Sequence, residues 1–594
     1  MARRKVSPIV QSLWIPMRDG VRIAIDVIRP ADPAPPGDGP PFDAAPSDGP
    51  PRVPAVMSMT RYWRSFRLRV PQSPGSVPIS PNTPLHTALL DRGIAVVAVD
   101  GRGTGASEGA WPHPWSVDEV ADHREIVDWI VAQPWSNGRV AATGISYEGT
   151  TAMLLAASGH RTVVAVAPGS FEFDAFADIA FPGGVLDRSF MSAWSESASL
   201  LDEDRSPPLF GTVGRLLVAG ARPVDEDRRR VELTKIVAAR ANPSVFDSVA
   251  RIRFADDPYG GQDVSLTDLS VRSYLPALRE HAVPAQVWGS WMDGATADMA
   301  LRLFAELPSV REARIGAWIH TGEKHASPFA EGAAPNPTAH DRRVQIIEFL
   351  EGPLRGEPQP GHEKLIHYFT MGEERWHSTP TWPPATARPT TSYLGAEGAL
   401  LAERPVTVAT ERVMLDPRAS TGTGNRWFTE LARPVRYGDR ARADTRMTVW
   451  TGAALAEPLT LTGHPVVRLH VRSAGEDPVV FVYLEAVDPR GRVSYLTEGI
   501  LRLIHRTPPG AESGPTFRRA DALPVVPGEP MDVSIRLYAT SVRIPARWRL
   551  RVALAGADAD SFETGSSDLD RDLTLEYGGE RPSSLVLPVV GEAV

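Results

Sequence analysis

The sequence predicts a doubly wound, mostly parallel α/β sheet, interrupted by a helical insertion and followed by a β-rich C-terminal region. Three observations carry this. Short uninterrupted apolar runs such as "VPAVMSM" and "GIAVVAVD" alternate with helix-length segments, the pattern of strands buried on both faces. From about residue 172 to 268 the apolar strand runs stop. After about residue 362, short runs of alternating polarity spaced by Pro, Gly and Asp take over.

The elements follow in chain order. "SLWIPMRDGVRIAIDVIRP" alternates around the turn "RDG" and reads as a β-hairpin. A Pro/Gly/Asp-rich insert follows near residues 31–52, with a composition that cannot pack. "TPLHTALLDR" and "VDEVADHREIVDWIVAQ" are helices, and the second places Val120, Ile126, Val127 and Ile130 near helical spacing. "RVAATGIS" and "TVVAVAPGS" are strands flanking the small-residue helix "YEGTTAMLLAA". The segment 172–268 reads as helices and loops without buried strands, an inserted cap. Strand texture returns in "PAQVWGSW" and "ARIGAWIH", separated by the helix "ADMALRLFAEL". "PVVRLHVRSA", "PVVFVYLEAVD", "MDVSIRLYAT" and "WRLRVALAG" then suggest a jelly-roll β-sandwich.

Composition narrows the function. A chain of 594 residues is too long for one core. A net charge of −9 without a clustered Lys/Arg stripe argues against nucleic acid. With no cysteine, thiol nucleophiles, disulfides and Cys-ligated metals are excluded. "HEKLIH" is not the zinc motif, because His362 and His367 are spaced too widely for one helical face, so no metal is expected. The N-terminus lacks the apolar core of a signal peptide, and no stretch approaches about 18 consecutive apolar residues. The default expectation is a cytoplasmic, membrane-free protein without cofactor, with homo-oligomerisation left open.

"GISYEGT" places Ser146 at a strand-to-helix turn, where a hydroxyl serves either as a nucleophile or as a helix cap. A nucleophile elbow requires an acid and then a base at later strand ends. Asp293 follows "PAQVWGSW" and His320 closes "ARIGAWIH", so the order Ser, Asp, His holds and one helix fits between acid and base. His325, in a charged loop, is the rival base. The elbow departs from G-x-S-x-G, since Glu148 stands second after the serine and Gly149 third. "VDGRGTGASEG" misses the dinucleotide fingerprint by one residue and reads as a tight loop beside the crevice.

Together "WIPMRDGVRIAIDVIRP", "VDGRGTGASEG", "GISYEGT", "WMDG", "GAWIH", "MGEERWH" and the C-terminal strand pattern resemble the CocE/NonD hydrolases. That superfamily groups cocaine esterase, α-amino acid ester hydrolases and X-Pro dipeptidyl-peptidases of the S15 type. The resemblance accounts for the G-x-S-Y-x-G elbow. The insert near 31–52 and Ala317-Trp318, where the family often has Pro-Trp, depart from it.

The resemblance implies an α/β-hydrolase domain (residues 1–171 and 269–361), a helical cap (172–268) and a jelly-roll β-sandwich (362–594). It also implies a Ser146–His320–Asp293 triad, with an oxyanion hole formed by the Tyr147 backbone N–H and the Tyr62 hydroxyl. Trp194 matches a cap tryptophan at the acyl group, and Trp427 and Phe428 in "GNRWF" are candidates to reach in from the sandwich. The amino-acid ester branch binds its substrate's ammonium with carboxylates just after the catalytic aspartate. Here Gly294, Ala295 and Thr296 carry no charge and Asp298 comes one turn later, while Glu148 is shared with that branch. The expected substrate is a small ester or amide of a neutral acyl group. The alternatives are acyl transfer on the same groups, an α-amino acid ester hydrolase or X-Pro dipeptidyl-peptidase, and a non-catalytic binding protein.

Overall fold

Residues Ile9–Pro16 (β1) and Arg22–Arg29 (β2) form the expected hairpin, in register from Ile9 opposite Arg29 to Pro16 opposite Arg22. The computed structural model describes residues 8–31, 52–73, 75–357, 363–431, 433–508, 514–563 and 567–591. The Pro/Gly/Asp-rich insert therefore lies, apart from residues 31 and 52, outside the described residues, as does His362.

The hairpin edges a ten-stranded sheet. Its later strands are Val53–Thr60 (β3), Ala95–Asp100 (β4), Ser136–Ile145 (β5), Val163–Gly169 (β6), Ala285–Ser290 (β7), Val310–Gly316 (β8), Leu365–Thr370 (β9) and Arg375–Thr379 (β10), in the order β1-β2-β4-β3-β5-β6-β7-β8-β9-β10. From β4 through β9 every neighbouring pair is parallel. The β-branched runs explain the central position of these strands: Val97 and Val99 are fully buried and need cover on both faces. Helix Val117–Ala132 supplies part of that cover with Ile126, Val127 and Ile130, and Ser116 caps it through the Glu119 N–H at 3.2 Å. Helix Tyr147–Ala157 is buried almost all round, which suits its Ala, Met and Leu composition.

Two boundaries differ from the sequence reading. The strands β9 and β10, read from sequence as part of the 362–594 sandwich, extend the first sheet. The helix Ala339–Arg355 crosses over to set β9 parallel to β8, and β10 folds back on β9. The cap region also contains a buried strand, Val218–Ala221, where none was expected. It pairs antiparallel with Phe66–Leu68 and ties the cap to the loop after β3. Elsewhere in the cap, Phe176, Phe181, Leu186 and Phe190 pack with Trp111, Trp115, Tyr147 and Leu154 over the start of the elbow helix.

Among the described residues from Ala387 to Val590 the chain forms a thirteen-stranded β-rich unit, antiparallel except where Ala399–Leu401 pairs with Thr448–Ala454. The alternation read from sequence recurs as alternating burial along Met531–Arg536. Among the described residues no helix is long and apolar enough to cross a membrane.

Candidate active site

Ser146 sits between β5 and the helix Tyr147–Ala157 with φ 62° and ψ −129°, a conformation that costs a non-glycine residue about 1–3 kcal/mol. The turn is held by its own backbone, because the Ser146 N–H donates to the carbonyls of Gly169 (3.1 Å) and Ser170 (3.0 Å). A Cβ at Gly144 would overlap Glu148, and one at Gly149 would come within 2.9 Å of the Gly169 carbonyl oxygen. The tight contacts thus fall two residues before and three after the serine. The second position after it tolerates Glu148, whose carboxylate accepts from Asn82 Nδ2 at 2.6 Å. The Ser146 side chain does not cap the helix. The hydroxyl is instead presented to a cleft of about 510 Å3.

Asp293 lies in the turn after β7, fully buried. His320 falls four residues beyond the end of β8 rather than closing the strand. Its Nδ1 is 3.0 Å from both Asp293 oxygens, so Nδ1–H donates and Nε2 is left as the acceptor. Ser146 and His320 line the same cleft. Burial pulls the His320 pKa down, but the Asp293 charge and hydrogen bond outweigh it and hold the imidazole above its ordinary value. Burial pushes Asp293 up, and His320 with the hydroxyls of Thr429 and Ser170 brings it below the usual carboxylate range. The rival His325 is engaged elsewhere, 3.0 Å from Glu374.

Tyr62, Trp194 and Ser146 meet in this cleft. Trp194 Nε1 donates to the Tyr62 hydroxyl at 2.8 Å, leaving the phenolic proton free to point toward Ser146. Burial pushes the phenol up to about 12, so it stays a donor throughout the neutral range. The Tyr147 side chain turns away: its hydroxyl bonds Glu119 at 2.7 Å and its ring stacks on Trp115 at 5.1 Å. Only its backbone N–H, at the first position of the helix, remains beside the serine.

Trp427 and Phe428 are not among the residues lining the cleft. Trp427 is fully buried with its Nε1 on Glu498 (2.6 Å), and Arg433 sits over the Phe428 ring. The same segment reaches in two residues later, where Glu430 and Leu431 line the cleft and Thr429 donates to Asp293 Oδ1 at 2.6 Å. Neither contact is visible in a pattern of strands. Sequence reasoning fastened on the aromatic residues and missed the threonine and glutamate beside them.

Glu148, Glu323 and Glu430 line the cleft, and Glu172 lines a smaller pocket that adjoins it at Ser146, His320 and Glu430. Burial pushes Glu148 and Glu172 to about 7. Glu430 is driven well above the usual range by burial and then by the negative charge of Asp293. Asp174 is paired with Arg272 at 2.8 Å, and Asp298 with His464 at 2.9 Å and Arg536 at 3.2 Å, outside the cleft. Among the described residues no group of His, Cys, Asp or Glu is arranged to hold a metal ion.

Comparison with known proteins adds to this geometry. Residues 19–322 match the profile of the X-Pro dipeptidyl-peptidase (S15 family), and residues 361–586 that of the X-Pro dipeptidyl-peptidase C-terminal non-catalytic domain. A Mycobacterium bovis protein named "Putative serine esterase" is 37% identical over 587 residues, covering 93% of this chain and 91% of the relative. The cocaine esterase of a Rhodococcus species is 28% identical over 640 residues, covering 98% of each chain. The solved α-amino acid ester hydrolase superposes with a TM-score of 0.71 at 19% identity, over 99% of this chain and 98% of the other, a likeness of fold.

Proposed function

The chain belongs to the X-Pro dipeptidyl-peptidase (S15) family and is a serine hydrolase, and we propose that it hydrolyses carboxylic esters of neutral acyl groups through an acyl-enzyme on Ser146. The observation that carries the reading is the Asp293–His320 pair opening onto the same cleft as a serine held in a strained elbow. His320 Nε2 takes the Ser146 proton as Oγ attacks the ester carbonyl, and Asp293 stabilises the imidazolium that forms. The oxyanion is met by the Tyr62 hydroxyl and the Tyr147 N–H. His320 then protonates the departing alkoxide, and water, activated by the same imidazole, releases the acid. An amide enters the same cycle with an amine as leaving group, and an alcohol or amine acceptor in place of water gives acyl transfer.

A fluorophosphonate probe tests the nucleophile. Wild type should label at one site and hydrolyse a simple aryl ester, while Ser146→Ala folds but neither labels nor turns over. Stoichiometric labelling of the variant would place the nucleophile elsewhere.

A second reading has its own support: Glu148 and Glu430 on the cleft, with Glu172 in the pocket adjoining it, could pair with the ammonium of an α-amino ester or an N-terminal residue. The neutral acyl group is favoured because burial works to keep these carboxyls protonated, and an unpaired buried ammonium costs several kcal/mol. With matched leaving groups, at a pH where the amine is charged, the neutral ester should have at least about a tenfold higher kcat/KM. That ratio is roughly 1.4 kcal/mol in transition-state binding. A clear preference for the α-amino ester would assign the three carboxyls to an ammonium site.

A further inference from the structure

We propose that Thr429, carried by the C-terminal β-rich unit, is a positioning residue for Asp293; the proposal rests on the triad assigned above. Thr429 is fully buried and its hydroxyl lies 2.6 Å from Asp293 Oδ1, across 136 residues of sequence. The same hydroxyl is 3.1 Å from the Arg426 carbonyl, which already accepts from the Gly294 N–H at 2.9 Å. A hydroxyl has one proton. The shorter contact to a charged acceptor takes it.

The threonine is itself held firmly. Asn425 Oδ1 accepts from the N–H groups of Trp427 (3.0 Å) and Phe428 (3.2 Å), and its Nδ2 donates to Thr421 and Ser561 at 2.7 Å each. Arg426 Nε returns a bond to the Gly294 carbonyl at 2.8 Å, so the segment clasps the residue next to Asp293 in both directions. The β-branched side chain restricts χ1 and so fixes the direction of the hydroxyl.

A carboxylate turning about its Cβ–Cγ bond would carry the imidazole with it. On Oδ2, Thr296 stands at 3.2 Å with its hydroxyl also contacting the Asp293 carbonyl at 2.9 Å, and the Ser170 hydroxyl is a further donor to the carboxylate. On Oδ1 Thr429, at 2.6 Å, makes the shorter contact. The Thr429 hydroxyl therefore sets the carboxylate plane, that plane sets His320 Nδ1, and through the ring it sets the direction of Nε2, the base of the triad proposed above. A domain whose family description reads "non-catalytic" thus orients the catalytic acid.

The test compares Thr429→Val, Thr429→Ala and Thr429→Ser with wild type on one aryl ester. Valine keeps the shape and removes the donor. It should lower kcat by about tenfold or more, the range of a hydrogen bond to a charged group, with KM within about twofold. Serine restores the donor and should recover most of kcat, the readout that a packing role would not give. If valine does not fold, alanine carries the comparison in its place. Wild-type kcat in the variant lacking the hydroxyl overturns the proposal. So does a loss confined to KM, or a serine variant as slow as the one without the hydroxyl. If wild type labels at Ser146 and Asp293→Asn is inactive while Thr429→Val is unimpaired, this proposal alone falls. If Ser146 does not label, the triad reading falls first.

Discussion

Asp293 of the parallel sheet and Glu430 of the C-terminal β-rich unit are buried carboxyl groups beside the cleft, and the two regions treat them in opposite ways. Asp293, at the end of β7, receives His320, Thr429 and Thr296, and is held below the usual carboxylate range despite complete burial. Glu430, from the C-terminal unit, has no hydrogen-bond partner for Oε2 among the described residues and faces the negative charge of Asp293, Asp187 and Glu172. It is held well above that range. Burial penalises both anions alike, so donors decide the charge state. The proposed catalytic acid is the one for which both regions supply donors.

The largest break of this contrast is at Asp293. Asp293→Asn keeps the shape but presents an amide to Nδ1 and favours the wrong tautomer, which should lower kcat by about 10⁴-fold. The pH dependence carries the sign. Catalysis needs neutral His320, whose pKa is raised above 6.5, so wild-type kcat/KM should fall on the acid side with its half-point above that value. A half-point at or below 6.5, or an Asn variant within about tenfold of wild type, would mean that Asp293 is not the charged partner of the base.

The same contrast separates what the sequence discloses from what it does not. Ser146, Asp293 and His320 each follow a β-branched or aromatic apolar strand, and a parallel sheet brings strand ends to one edge. Reading the strands therefore located these residues together. Thr429 and Glu430 lie between the strands Ala409–Met414 and Thr448–Ala454, in a segment shaped by Asn425 and by a clasp on Gly294. No period encodes that placement. The strand Val218–Ala221, "VAGA", escaped because four small and apolar residues carry no recognisable alternation. That β9 and β10 join the first sheet, although the C-terminal family match begins at residue 361, is equally hidden, because strand patterns do not specify which sheet a strand joins.

The smallest effect is expected at Glu430, and it sharpens the comparison from the other side. If the buried carboxyl is neutral at working pH, Glu430→Gln exchanges one neutral group for another of nearly the same shape. For a neutral ester kcat/KM should then change by less than about threefold. Stability should respond more clearly. A carboxyl that is protonated in the folded state and ionised in the unfolded state binds more protons when folded. Its contribution is therefore lost as pH rises from the unfolded value of 4.5 toward the higher folded one. Glutamine has no such dependence. The melting temperature of Glu430→Gln should match wild type near pH 4 and exceed it increasingly toward pH 8, as read by calorimetry. A gap that stays constant over that span would show Glu430 ionised in the folded protein. Paired with a large loss of α-amino ester turnover in the same variant, it would move the C-terminal unit's carboxyl into an ammonium site.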